Sequence, residues 1–189
     1  PDIHHSSSLA PAKIWVVLPA FNEEAAIKKL VEKIAQVEIS NELTIVVVDD
    51  ASTDKTLEIL TELADSFPVT VVQHRHNQGL AGAIRTGFCY CLANGSFHDV
   101  IVTMDADDTH SPATIPQMLV KINEGYDVVI ASRYQVGSRT VGVPWNRLAL
   151  TWISKWLFKL ITPIAGVRDY TCGFRAYQFS ALDQASKHY

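Results

Sequence analysis

The chain has 189 residues, 48% of them hydrophobic and 19% charged, with a formal net charge of −4. That length suits one domain burying roughly 70% of the surface its unfolded chain exposes, without disulfide staples. The mild acidity speaks against a protein that coats nucleic acid, which needs a basic face. Cys89, Cys91 and Cys172 form neither a disulfide framework nor a zinc-type spacing, which fits a reducing compartment. No run of about 18 uninterrupted apolar residues occurs, so no membrane-spanning helix is expected among these residues. The longest apolar stretch, Leu148 to Val167, is broken by Lys155, Lys159 and Pro163. There is no initiator Met and no signal-peptide pattern. Residues 1–12 read as a disordered or vector-derived lead-in, and its His4 and His5 are not taken as metal ligands.

Apolar runs then alternate with helical patterns. Ile14–Leu18 is a β-rich run ending at Pro19. Glu24–Val37 carries Ile27, Leu30, Val31 and Ile34 at the spacing of one helix face. Leu43–Val48 predicts a buried strand, Asp54–Ala64 a helix and Val69–Gln73 a third strand. Leu80–Leu92 predicts a helix with Cys89 and Cys91 in the core, and Val100–Met104 a strand. Ala113–Ile122 is helical and Tyr126–Ala131 a strand. This βαβα rhythm, with nearly continuous Val/Ile strands, predicts an α/β fold: a parallel sheet covered by helices on both faces.

In such sheets ligands bind beyond the carboxyl ends of the strands. The segments there are 19–24, 49–54, 74–79, 105–108 and 132–134, and all five carry acids or bases. Asp105 and Asp107, spaced i and i+2, can converge on one hard cation such as Mg²⁺ or Mn²⁺, which prefers oxygen and shares its shell with phosphates. Acids at a strand end also serve as helix caps, and before Pro112 that reading stays open. Asp49 and Asp50 end another strand. Ser52 or Asp54 suits the cap of the next helix, which leaves Asp50 suited to hydrogen bonding with a ribose or base. Receiver domains also place acids after strands, but their pair follows the first strand, whereas this one follows the second. His74 and His76 are expected at the surface or the nucleotide rim, and His110 as a polar loop residue.

Six blocks together resemble the inverting GT-A glycosyltransferases, and among them the dolichyl-phosphate mannose synthases and other polyprenyl-phosphate glycosyltransferases. They are 16–24 (VVLPAFNEE), 46–54 (VVVDDASTD), 77–79 (NQG), 104–107 (MDAD), 131–134 (ASRY) and 169–175 (DYTCGFR). The resemblance spans about residues 13–178. It implies a Rossmann-like GT-A catalytic domain there, with 179–189 as the C-terminal segment of a truncated catalytic domain. It implies that Pro19, Phe21 and Glu23 hold nucleobase and ribose, with Phe21 where Tyr is usual, and that Val48 and Asp50 contact the nucleotide. Asp105, Ala106 and Asp107 match the metal and diphosphate motif. Thr109 stands where Gln often serves as a further metal ligand, so the third ligand is Thr109, Asp108 or water. Arg133 and Arg147 match phosphate-clamping positions, Arg175 a donor-site position, and Cys172 replaces a Ser. Asp107, Arg133 and Arg147 are the catalytic candidates, and Asp169 and Thr171 keep the family residue.

On a helical wheel, 146–164 gathers Ala149, Trp152, Ile153, Trp156, Leu157, Leu160 and Ile161 into an apolar arc flanked by Lys155 and Lys159. That fits an amphipathic helix in a membrane interface, or one packed on the sheet or a partner. The implied function is transfer of one sugar, with inversion, from a nucleotide diphosphate sugar to a polyprenyl phosphate at the cytosolic face of a membrane. Mannose from GDP-mannose to dolichyl phosphate is the first choice. A UDP-sugar with undecaprenyl phosphate is the alternative, and a nucleotide-sugar-binding module without turnover is the reading from another class.

Overall fold

Runs of Val and Ile too continuous for one-sided burial make the centre of this protein. The computed structural model describes residues 13–132 and 172–187. Its strands are β1 (Lys13–Ala20), β2 (Glu42–Asp49), β3 (Val69–Gln73), β4 (Val100–Thr103), β5 (Val128–Ile130) and β6 (Arg175–Gln178). They form one sheet in the order β3-β2-β1-β4-β6-β5. β1 to β4 pair in parallel, while β6 inserts antiparallel between β4 and β5. The sheet is therefore mostly parallel, as expected.

Pro19 does not end its strand. Pairing with β2 continues to Ala20, whereas pairing with β4 stops at Val17. Val17 uses its carbonyl on the β4 side, accepting from Met104 N at 3.2 Å. Pro19 shares that orientation and lies past the end of β4, so its missing N–H costs no ladder bond.

Helices cover both faces. On one side α1 (Ile27–Ala35) buries the predicted Ile27, Leu30, Val31 and Ile34. α2 (Thr56–Ala64) and α4 (Ile115–Asn123, entered through a 3-10 turn at Pro112–Thr114) join it over the larger core. On the other side α3 (Gly79–Asn94) and α5 (Phe179–Ser186) pack over Trp15, Val17, Val46 and Ile101. Gly87 of α3 lies flat on β1: a Cβ there would sit 2.3 Å from Val17 Cγ1.

Three expectations change. β6 reads Arg-Ala-Tyr-Gln, too polar to predict as a strand, yet it fills a slot between two neighbours with Ala176 wholly buried. The strand expected over Tyr126–Ala131 shortens to three residues. Cys89 is exposed rather than core. Cys91 is buried, and that burial, helped by Asp99, pushes its thiol up to about 12.

Candidate active site

The carboxyl ends of β1 to β4 share one sheet edge, and because β6 runs antiparallel, its first residue, Arg175, pairs with Thr103 at that edge. The loops after β1 and β2 are tied to each other crosswise. Asn22, in the left-handed region at φ 57, donates its N–H to Ser52 Oγ at 3.0 Å. Glu23 N donates to Thr56 Oγ1 (2.8 Å) and Glu24 N to Asp54 Oδ2 (3.2 Å). In return Thr53 N donates to Asn22 Oδ1 (2.8 Å) and Lys55 N to Glu24 Oε2 (3.0 Å). Asp54 also accepts from Thr56 N and Oγ1, which fixes the turn into α2. These bonds hold Phe21 outward, 46% exposed, with Glu23 beside it.

Asp50 is a junction. Its Oδ1 accepts from His74 Nδ1 (2.6 Å) and Gln78 N (2.8 Å), and its Oδ2 from Gly79 N (2.8 Å). An ionised carboxylate has no proton to give, so the His74 nitrogen facing it carries one. Burial would raise the Asp50 pKa, but the Gln78, His74 and Gly79 hydrogen bonds hold it below the usual carboxylate range. Three donors occupy about four lone-pair positions, which leaves one acceptor position, on Oδ2. His74 is therefore not a surface residue. It is 7% exposed, and its Nε2 lies 2.8 Å from Thr86 Oγ1.

After β4 the chain turns sharply. Asp107 Oδ1 accepts from Thr109 N (3.0 Å) and Thr109 Oγ1 (2.7 Å). Asp105 packs against Gly173, where a Cβ would come within 2.9 Å of Asp105 Oδ1, and the Gly173 carbonyl accepts from Thr103 Oγ1 at 2.8 Å. His110 Nδ1 sits 3.7 Å from Asp105 Oδ2, with its ring against Phe174.

Together these ends enclose a cavity of about 420 Å³ whose wall includes Pro19, Phe21, Glu23, Asp50, Asp105 and Asp107. Ala106 lies on its floor, and Asn77, Gly79, Leu80 and Ala83 close the α3 side. These last four had no assigned ligand contact in the sequence, although Asn77 and Gly79 belong to the 77–79 block of the family resemblance. The wall holds four acids and, among the described residues, no Lys or Arg. Glu23 reports the result: burial first, then Asp107, Asp54 and Asp105, raise its pKa. An oxygen-lined, anionic cavity suits a hard divalent cation. Among the described residues no three His, Cys, Asp or Glu side chains converge on one point. Two carboxylates are still enough for Mg²⁺ or Mn²⁺, which usually take the rest from waters and substrate phosphates.

Other expected residues fall elsewhere. Val48 is wholly buried within the sheet and does not reach the cavity. Thr109 lines a second cavity, of about 570 Å³, between α1 and the 108–113 segment. Arg175 Nε donates to the Cys172 carbonyl at 2.7 Å, and the buried Cys172 thiol donates to Ala131 O at 3.1 Å. Arg133, Arg147, Asp169, Thr171 and the 146–164 segment lie outside the described residues.

Glu23 gives a prediction with a definite sign. Its folded pKa is raised, so its contribution to stability is fully present at low pH and is lost as pH rises through the folded value. Glu23→Gln is expected to raise the melting temperature at pH 7 and to leave it unchanged near pH 3. A melting temperature at pH 7 equal to or below wild type contradicts this.

Polyprenol monophosphomannose synthase of Mycolicibacterium smegmatis is 33% identical over 171 residues, covering 89% of this chain and 63% of that protein. Dolichol-phosphate mannosyltransferase of Pyrococcus furiosus is 34% identical over 172 residues, covering 90% and 47%. This chain thus spans about half to two thirds of those relatives. TarS of S. aureus, solved with UDP, superposes with a TM-score of 0.66 at 25% identity, covering 92% of this chain and 49% of TarS. The match to Glycosyl transferase family 2 runs over residues 15–185, through every strand end that walls the cavity, and the chain belongs to that family.

Proposed function

We propose that this chain moves one sugar from a nucleotide diphosphate sugar to a polyprenyl phosphate, with inversion, and that the first choice is mannose from GDP-mannose to dolichyl phosphate. The observation that carries this is the acid-walled cavity at the carboxyl edge of the sheet, in a chain whose relatives are named for mannose and for a polyprenol or dolichol phosphate. UDP bound to TarS favours a second reading, a UDP-sugar donor with undecaprenyl phosphate.

Phe21 offers a ring face to the base, and Asp50 offers its remaining Oδ2 position to a ribose hydroxyl or a base N–H. Asp105 and Asp107 would hold Mg²⁺ or Mn²⁺, with Thr109 orienting Asp107 through the two bonds described. A cation bound there supplies positive charge to the donor diphosphate. The acceptor, a phosphate monoester with a second pKa of about 6, is already ionised at neutral pH and needs positioning rather than a strong base. By family resemblance Arg133 and Arg147 do that, since guanidinium forks bind phosphate oxygens bidentately. In-line attack on the anomeric carbon from the face opposite the departing diphosphate inverts its configuration. A lipid-linked acceptor places the reaction at a membrane surface. No helix among the described residues is long and apolar enough to cross one; the 146–164 segment is the proposed contact because its sequence gathers Trp152 and Trp156 into an apolar arc.

The test compares melting temperatures with GDP, UDP, GDP-mannose and UDP-glucose, each with and without Mn²⁺, and then measures transfer to polyprenyl phosphate in liposomes. A ligand at 100 times its Kd stabilises by about 2.7 kcal/mol. A Mn²⁺-dependent shift with guanine nucleotides supports the first choice, and a uracil preference supports the second. Binding without transfer supports a non-catalytic module, and no shift at all sinks the proposal.

A further inference from the structure

Asp107 and Asp108 are neighbours in sequence that face different cavities. The chain is left-handed at Asp108, with φ 58, a conformation that a side chain other than Asn or Asp rarely tolerates. The turn leaves Asp107 on the wall of the donor cavity and sends the Asp108 carboxylate into the second cavity, toward α1. There Lys33 Nζ donates to both of its oxygens, at 2.6 and 2.8 Å, and Lys29 Nζ lies 3.2 Å from Oδ2. The Asp108 side chain is only 13% exposed. The Lys33 hydrogen bond, against a smaller effect of burial and helped by Lys29, holds its carboxyl below the usual carboxylate range. Asp108 is therefore not the missing cation ligand.

We propose that Lys33, assisted by Lys29, is a positioning residue for the cation site: by clamping Asp108 to α1 it fixes the direction in which Asp105 and Asp107 face the donor cavity. This rests on the reading of Asp105 and Asp107 as cation ligands. Three features support it. First, α1 is a fixed anchor, because Ile27, Leu30, Val31 and Ile34 bury its other face in the core. Second, the clamp is two lysines on one carboxylate, whereas isolated exposed ion pairs add little to a fold, so placement of the turn is the better account of it. Third, the clamp turns a further carboxylate away from the donor cavity, whose wall already holds Glu23, Asp50, Asp105 and Asp107. Groups bonded directly to a metal ligand orient it and tune affinity; Lys33 acts one step further out, through the backbone that joins Asp108 to Asp107.

The experiment titrates Mn²⁺ into the protein with GDP or with UDP present, following free Mn²⁺ by electron paramagnetic resonance. Uridine and guanosine binding without metal serve as the control. Lys33→Met is expected to weaken Mn²⁺ affinity by roughly three- to tenfold, at or below the lower end for a partner that touches the ligand itself, with nucleoside affinity unchanged. Lys33→Arg is expected to stay within about twofold of wild type, because the ionic link to Asp108 persists. Unchanged Mn²⁺ affinity in Lys29→Met/Lys33→Met overturns the proposal. So does a parallel loss of Mn²⁺ and nucleoside binding together with a fall in melting temperature, since that marks general loosening. If the wild-type protein takes up no Mn²⁺ with either nucleotide, the cation reading itself fails and this one with it.

Discussion

Asp107→Asn is expected to lower sugar transfer by roughly 10²–10³-fold, the scale on which loss of one group stabilising developing charge is felt, with the melting temperature almost unmoved. The two halves of this expectation have separate causes. Asp107 is exposed, and its partners are the backbone N–H and hydroxyl of Thr109. An asparagine oxygen still accepts both, so no buried group is stranded. Lost instead is half of the carboxylate pair proposed to hold the cation that neutralises the donor diphosphate. Steady-state rates at saturating Mn²⁺, with a melting curve on the same sample, read out both halves. Turnover within twofold of wild type would remove Asp107 from the catalytic machinery. A large drop in melting temperature would show that the substitution acts through the fold instead.

The largest effect on stability is expected at Gly87. Gly87→Ala places a methyl 2.3 Å from Val17 Cγ1, in the middle of the interface between α3 and β1. Neither element gives way easily, because β1 is paired on both sides and Val17 is wholly buried. Overpacking of this kind costs about 1–3 kcal/mol, and the gain from Ala over Gly inside a helix offsets up to about 1 kcal/mol. A net loss of up to about 2 kcal/mol follows from those two opposing effects. Val17→Ala/Gly87→Ala removes the clashing methyls and is expected to be more stable than the sum of the single changes predicts. Denaturant unfolding of the four proteins in the cycle checks this. Additive losses would mean that α3 slides away and the contact is not what limits it.

The sheet was legible because its strands are continuous Val/Ile runs, and α1 because four apolar residues recur at helical spacing. The segments carrying the site were legible for the same reason, since a parallel sheet puts its strand ends on one edge. Connections across the chain were not. A linear reading assigns Asp50 to a ribose or base but not to its internal partners, because His74, Gln78 and Gly79 lie 24 to 29 residues away. His74 looked like a rim residue for the same reason. β6 escaped because Arg-Ala-Tyr-Gln shows neither alternation nor an apolar run, and two neighbouring strands impose its extended form. The family resemblance marked Thr109 as a ligand position by spacing alone; in the structure its hydroxyl is already given to Asp107.

The crossed bonds between the first two strand ends separate support from contact. Five main-chain N–H groups are fixed by side chains of Asn22, Ser52, Asp54, Thr56 and Glu24. Phe21 contributes to none of them. The residue proposed to face the base can therefore be exchanged without disturbing the frame that holds Glu23, so a change in nucleotide preference at this position need not cost the scaffold its stability.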